Sequence, residues 1–162
     1  MPLTTAQLAT LRTHILANTD PAVVSALANG NDNEIARIYS LTASPVFVVW
    51  RTNVGIAETG AKFVGSEWAG MTSANHTRLQ TVAQWAAGGY NASLADIRAM
   101  FDDIWSGAGG TNTRAALLAL WKRNALLVER VFATGTGSTA TPGLLVYEGT
   151  VSGDEVGRAL RP

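Results

Sequence analysis

Apolar residues recur at helical spacing in run after run of this chain, and turn residues stop each run within a few turns. Ile97, Met100, Phe101, Ile104 and Trp105 stand at i, i+3, i+4, i+7 and i+8, one continuous helix face. Leu8, Leu11 and Ile15 share a face behind Thr4 and Thr5, either of which can cap the run. Asp20-Pro21 reads as an N-cap with proline in the first helical position, and Asn29-Gly30 as a stop. Asp32 then caps a third segment carrying Ile35, Ile38 and Tyr39. Leu79, Val82, Ala83 and Ala86 line a helix that begins near Thr72 and ends at Gly88-Gly89. Ser93, with Asp96 three residues on, caps the helix of Ile97, and residues 106–110 close it. The pattern restricts the chain to a mainly α fold.

The longest stretch follows. Behind Asn112 or Thr113, Leu117, Leu120, Trp121, Leu127, Val128 and Val131 can line one side of a helix over residues 112–132. Leu118, Ala125 and Phe132 widen that stripe, so a compact helical bundle built around this long central helix is expected. Residues 46–50 are ambiguous: Val46, Val48 and Val49 favour strand, while Ser44-Pro45 ahead of them favours a short buried helix. The helical neighbours tip the reading to helix. Residues 52–71 are glycine-rich and read as loop with short helical turns around Ala57 and Trp68. The glycine-, serine- and threonine-rich residues 133–143 read as a flexible linker, 144–148 as a short strand, and Ser152 with Glu155 as a capping box on a last short helix. Two regions follow from this: a helical domain over 1–132 and a flexible C-terminal arm over 133–162.

With 162 residues the chain is long enough to bury a core of its own. The absence of cysteine removes disulfides, thiol nucleophiles and cysteine-based metal sites. A formal net charge of zero argues against broad non-specific binding to nucleic acid or anionic membrane. No apolar stretch approaches membrane-spanning length and no signal-like start is visible, so a soluble, non-secreted protein is expected. Only 15% of residues are charged, below the roughly 25% of ordinary soluble domains. Such a surface suits burial inside an assembly, and it equally suits a small protein from an alanine-rich proteome.

Candidate chemistry is sparse. Gly135-Thr-Gly137 lacks the lysine of a phosphate-binding loop and follows a helix, not a strand. Residues 107–110 precede a helix N-terminus, where an anion can bind, but a C-cap and turn between two packed helices is the better account. Asp102 and Asp103 are adjacent and therefore point about a hundred degrees apart on a helix. His14 and His76 have no partner at ligand spacing. No catalytic residue, metal site or cofactor is expected, and the chain is not read as an enzyme. Of five tryptophans, Trp85, Trp105 and Trp121 fall on apolar helix faces, while Trp68, beside Glu67 in a glycine-rich stretch, is the best contact residue.

Several stretches together resemble a family of small virion proteins encoded among the head and tail genes of tailed bacteriophages. They are Ala43-Ser-Pro-Val-Phe-Val-Val-Trp-Arg-Thr52, Asn91-Ala-Ser-Leu-Ala-Asp-Ile-Arg98, Phe101-Asp-Asp-Ile-Trp-Ser-Gly-Ala-Gly-Gly110, Val131-Phe-Ala-Thr-Gly-Thr-Gly137 and Tyr147-Glu-Gly-Thr-Val-Ser-Gly-Asp-Glu-Val156. Their order holds across most of the chain; residues 52–70 match least well. The resemblance implies a structural protein of the head–tail interface, made in the host cytoplasm. A head–tail adaptor ring of twelve-fold symmetry, joining the portal protein to a stopper or tail-completion protein, is the expected post. DNA would only pass through its lumen, and no membrane is involved. Under that reading the C-terminal arm docks by strand addition, with Leu145 and Tyr147 setting register. Leu144, Leu145, Val146, Tyr147, Val156, Leu160 and Trp68 are then the expected partner-binding residues. A capsid-surface or tail-associated structural protein is the alternative reading, and a DNA-packaging or assembly factor a more distant one.

Overall fold

The computed structural model describes residues 2–106 and 109–162. In chain order its elements are α1 (Thr5–Leu16), α2 (Pro21–Ala28), α3 (Asp32–Tyr39), β1 (Val48–Trp50), α4 (Ile56–Gly60), α5 (Gly65–Ala69), α6 (Ser73–Trp85), α7 (Ala95–Ile104), α8 (Thr111–Leu120), β2 (Lys122–Asn124), α9 (Leu127–Phe132) and α10 (Gly153–Leu160). The fold is mainly α, as the periodicity requires. It divides into two units, one made of Met1–Val49 with Asn124–Pro162, the other of Trp50–Arg123.

The first unit joins the two ends of the chain. Thr4 and Gln7 form a reciprocal capping box on α1, and Asp20 caps α2 through a 2.8 Å bond from the Ala22 N–H. Asn31, one residue before the expected Asp32, accepts from the Glu34 N–H and caps α3. Ser152 and Glu155 form the expected capping box on α10, and Glu155 also accepts from the Leu3 N–H at 2.9 Å. Burial alone would raise the Glu155 carboxyl, but hydrogen bonds from Ser152 and the Leu3 backbone hold it below the ordinary carboxylate range. Helix α10 packs on α3 and α1. Leu11, Ile15, Ile35, Tyr39, Val128 and Val156 are the centre of this core.

Residues 133–162 therefore belong to a core and do not form a separate arm; the division of the chain falls elsewhere than at 132. The expected long helix is also absent. Helix α8 ends at Leu120 and β2 intervenes before α9. The apolar stripe is real, but it serves two cores: Leu117 and Trp121 are buried in the second unit, Val128 and Phe132 in the first. Between them the backbone pairs with β1, not with itself. The Arg51 N–H donates to the Trp121 carbonyl and the Ala125 N–H to the Phe47 carbonyl, both at 2.8 Å, the register of an antiparallel ladder. Residues 46–50 are strand-containing for the same reason. Their backbone finds partners far along the chain that local sequence does not reveal.

In the second unit the short turns expected within 52–71 are α4 and α5. The expected cap at Ser93 is replaced: Leu94 is the N-cap of α7 with no side-chain bond, and the Ser93 N–H instead donates to Asn91 Oδ1. Trp85, expected on an apolar face, is exposed. Leu79, Val82, Phe101, Ile104, Leu117 and Trp121 pack together. A buried polar chain crosses them. Trp121 Nε1 donates to the Tyr90 hydroxyl at 2.9 Å, Tyr90 to Thr59 Oγ1 at 2.8 Å, and Thr59 to the Gly55 carbonyl at 3.0 Å. Each hydroxyl has one donor and one acceptor partner, so none is orphaned. Burial raises the Tyr90 phenol and keeps it a donor.

Candidate interaction surface

The segment expected to carry the contact residues is shaped by glycines. Gly135 and Gly137 adopt φ of 93° and 65°, a region costly for other residues. A Cβ on Gly137 would overlap the Phe47 ring, and one on Gly143 would meet both that ring and the Thr134 carbonyl. Phe47 thus lies against the loop backbone itself. The Val48 N–H donates to the Gly137 carbonyl at 2.7 Å and the Gly143 N–H to the Val48 carbonyl at 2.9 Å. Thr136 and Thr141 close the turn hydroxyl to hydroxyl, and Ser138 bonds Thr141 at 2.7 Å. The residues read as an open linker form a closed loop, and the glycines serve close packing. No anion is needed to explain them.

Beyond the loop, Thr134 and Leu144 exchange backbone hydrogen bonds, but no strand extends over 144–148. The backbone is held there by Glu129. That side chain is buried and accepts from the Leu126 N–H at 2.8 Å and the Gly149 N–H at 3.0 Å, tying the segment to α9. Glu129 was not legible as a structural residue; its only sequence signal is a lone acid within the apolar run after Leu126.

The side chains of this segment alternate. Leu144 is 47% exposed and Val146 66%, whereas Leu145 and Tyr147 turn toward the protein. The Tyr147 ring meets Phe132 edge-on at 5.5 Å, and its hydroxyl donates to the Thr150 carbonyl. Leu160 packs on the core and Val156 is fully buried in it. The expected set of contact residues is therefore split. Leu144 and Val146 face outward, while Tyr147, Val156 and Leu160 are used by the unit itself. Leu145 and Tyr147, expected to set register with a partner, are the less exposed positions of this segment. Val46, also exposed, precedes the Phe47 that receives Gly143, so it belongs to the same loop cluster.

Trp68 is in the second unit and is 40% exposed. It stacks on Phe63 at 5.7 Å and meets His76 edge-on at 4.6 Å, so its ring is supported on two sides. The adjacent Glu67 is engaged in capping. Its carboxylate accepts from the Asn112 N–H at 2.9 Å and the Thr113 N–H at 2.8 Å at the start of α8. The buried Thr113 hydroxyl in turn accepts from the Val64 N–H at 3.0 Å at the start of α5. The two helices cap each other, with the Thr113 hydroxyl holding the Glu67 carboxyl below the ordinary range. The α8 N-terminus read as a place for an anion is thus filled from within, although Gly107 and Ala108 of that run lie outside the described residues. Asp103 pairs with Arg78, and Asp102 lies near Arg98, so the two carboxylates diverge.

His14 is half-buried in the first unit. The Tyr39 hydroxyl accepts from Asn18 Nδ2 and lies 2.7 Å from His14 Nδ1, a contact in which the donor is set by the imidazole tautomer. Burial, then the charge of Arg130, lowers the His14 pKa. Among the described residues no three His, Asp or Glu side chains gather as a metal-ligand group. Comparison of the chain with family models, with curated proteins and with solved structures found no match in any of the three.

Proposed function

We propose that this chain is a structural protein of a tailed-phage particle, a head–tail adaptor that assembles as a ring between the portal protein and a stopper or tail-completion protein. The observation that carries the reading is the segment after the glycine loop. Leu144 and Val146 are held outward by a backbone anchored on both sides, through Thr134 and through Glu129. Apolar side chains fixed in that way are poised for a partner without the ordering cost of a free arm. Of the stretches that carry the family resemblance, residues 131–137 and 147–156 lie wholly in this unit, as do residues 43–49 of the stretch 43–52.

Docking by a detached arm is replaced in this proposal by docking through a surface. Deleting residues 138–162 would remove Val151, Val156 and Ala159 from the core, so that deletion cannot separate folding from assembly. Leu144→Asp with Val146→Asp can, since both side chains are exposed. The decisive measurement is the number of copies in purified particles by quantitative mass spectrometry, combined with tail joining by the double variant. About a dozen copies, as a cyclic ring requires, and unjoined heads from the variant support the adaptor. Hundreds of copies move the protein to the shell or tail. Absence from particles, or normal joining by the variant, overturns the proposal.

A further inference from the structure

Thr5, Leu8, Ala9 and Arg12 stand at i, i+3, i+4 and i+7 along one face of α1, and that face borders a groove of about 410 Å³ against the end of α10. Its floor is apolar and small: Leu8, Ala9 and Ala159. Its rim is basic. Arg12, Arg158 and Arg161 all line it beside Pro162, and no Asp or Glu side chain does. Arg161 is paired with Asp32 at the start of α3. Arg12 and Arg158 are exposed and have no hydrogen-bond or ion-pair partner among the described residues. Asp154 and Glu155 lie one turn back from Arg158 on α10, yet neither pairs with it.

We infer that this groove binds an acidic amphipathic helix of another protein, its apolar residues on the Leu8–Ala9–Ala159 floor and its carboxylates on Arg12 and Arg158. The chemistry of the two surfaces selects the occupant. A phosphate chain would satisfy the arginines and leave the apolar floor wet, whereas a neutral apolar segment would leave two guanidinium groups unmatched. An amphipathic helix with acids beside its apolar stripe satisfies both. Length agrees as well, since the stretch of α1 that lines the groove, residues 5–12, spans about 12 Å, two turns of a docked helix. Alanines at the floor allow close approach of the helix. This inference concerns the isolated chain and stands apart from the adaptor reading.

The test is a titration of the full-length, isotope-labelled chain, followed by amide NMR. The probe is an end-capped amphipathic peptide of about 14 residues, with leucines on one stripe and glutamates beside them. Saturable shifts confined to residues 5–12 and 158–162 are expected. A peptide with lysine in place of glutamate binds at least about tenfold more weakly. Arg12→Glu with Arg158→Glu reduces affinity for the acidic peptide by a similar factor at unchanged melting temperature. Ala9→Trp, at an exposed floor position, blocks binding sterically and guards against an uninformative double variant. The inference is overturned by absent or scattered shifts, by equal affinity for the lysine peptide, or by a DNA duplex that produces the same confined shifts.

Discussion

Single side chains in this protein are explained by what would be left unpaired without them. Glu129 is a buried acid whose oxygens take backbone N–H groups from two segments distant in sequence, which a neutral or shorter residue could not do equally. His14 offers a measurable consequence. Its pKa in the folded protein is lowered from the ordinary 6.5 by burial and by Arg130. The unfolded chain therefore binds this proton more readily than the folded one, and the contribution of neutral His14 is complete above about pH 6.5. Below that value stability declines as the pH falls toward the folded pKa. Denaturant midpoints compared between about pH 7.5 and 5.5 will show this decline, and His14→Gln will flatten it. An unchanged slope in the variant would assign the decline to other groups.

At the scale of elements, several contacts depend on the absence of a side chain. Gly153 and Gly157 are four residues apart on α10 and face α3: a Cβ on Gly153 would overlap the Asn33 side chain, and one on Gly157 would crowd Asp32 and Arg161. Alanine is the better helix former by about 1 kcal/mol, yet Gly153→Ala is expected to destabilise the protein by roughly 1–3 kcal/mol through overpacking. Equilibrium denaturation decides the sign, and stabilisation would show that Asn33 moves aside freely. Four helix starts were legible because their caps are local: Thr4, Asp20, Thr72 and Ser152 act on the helices that follow them. The cap of α8 was not legible, since its capping carboxylate comes from Glu67, more than forty residues earlier. Sequence spacing carries no trace of such a bond.

At the scale of the whole molecule, the second unit is a continuous insertion between the two parts of the first. Backbone bonds pair Phe47 with Ala125 inside the first unit and Arg51 with Trp121 inside the second. Replacing residues 50–122 by Asn-Gly, a two-residue hairpin turn, should leave the first unit folded, because its core draws only on the retained residues. Cooperative melting with dispersed NMR signals is the expected outcome; a molten product would show that the first core depends on the insertion.

The sequence by itself determined the mainly α class and the capped starts of α1, α2, α6 and α10, because those follow from periodicity and from bonds spanning two or three residues. Tertiary structure alone decided that the stripe over 112–132 is shared between two cores, that residues 46–50 enter a strand, and that the final thirty residues close the first unit. Each of those outcomes rests on partners far away in the chain. A strand needs an edge to pair with, and a glycine-rich loop needs a ring to pack on, and here Phe47 and Gly137 are ninety residues apart. The same reason separates Leu144 and Val146, which face outward, from Tyr147 and Val156, which the core takes up. Apolar character was visible in all four, while their direction was set by the fold.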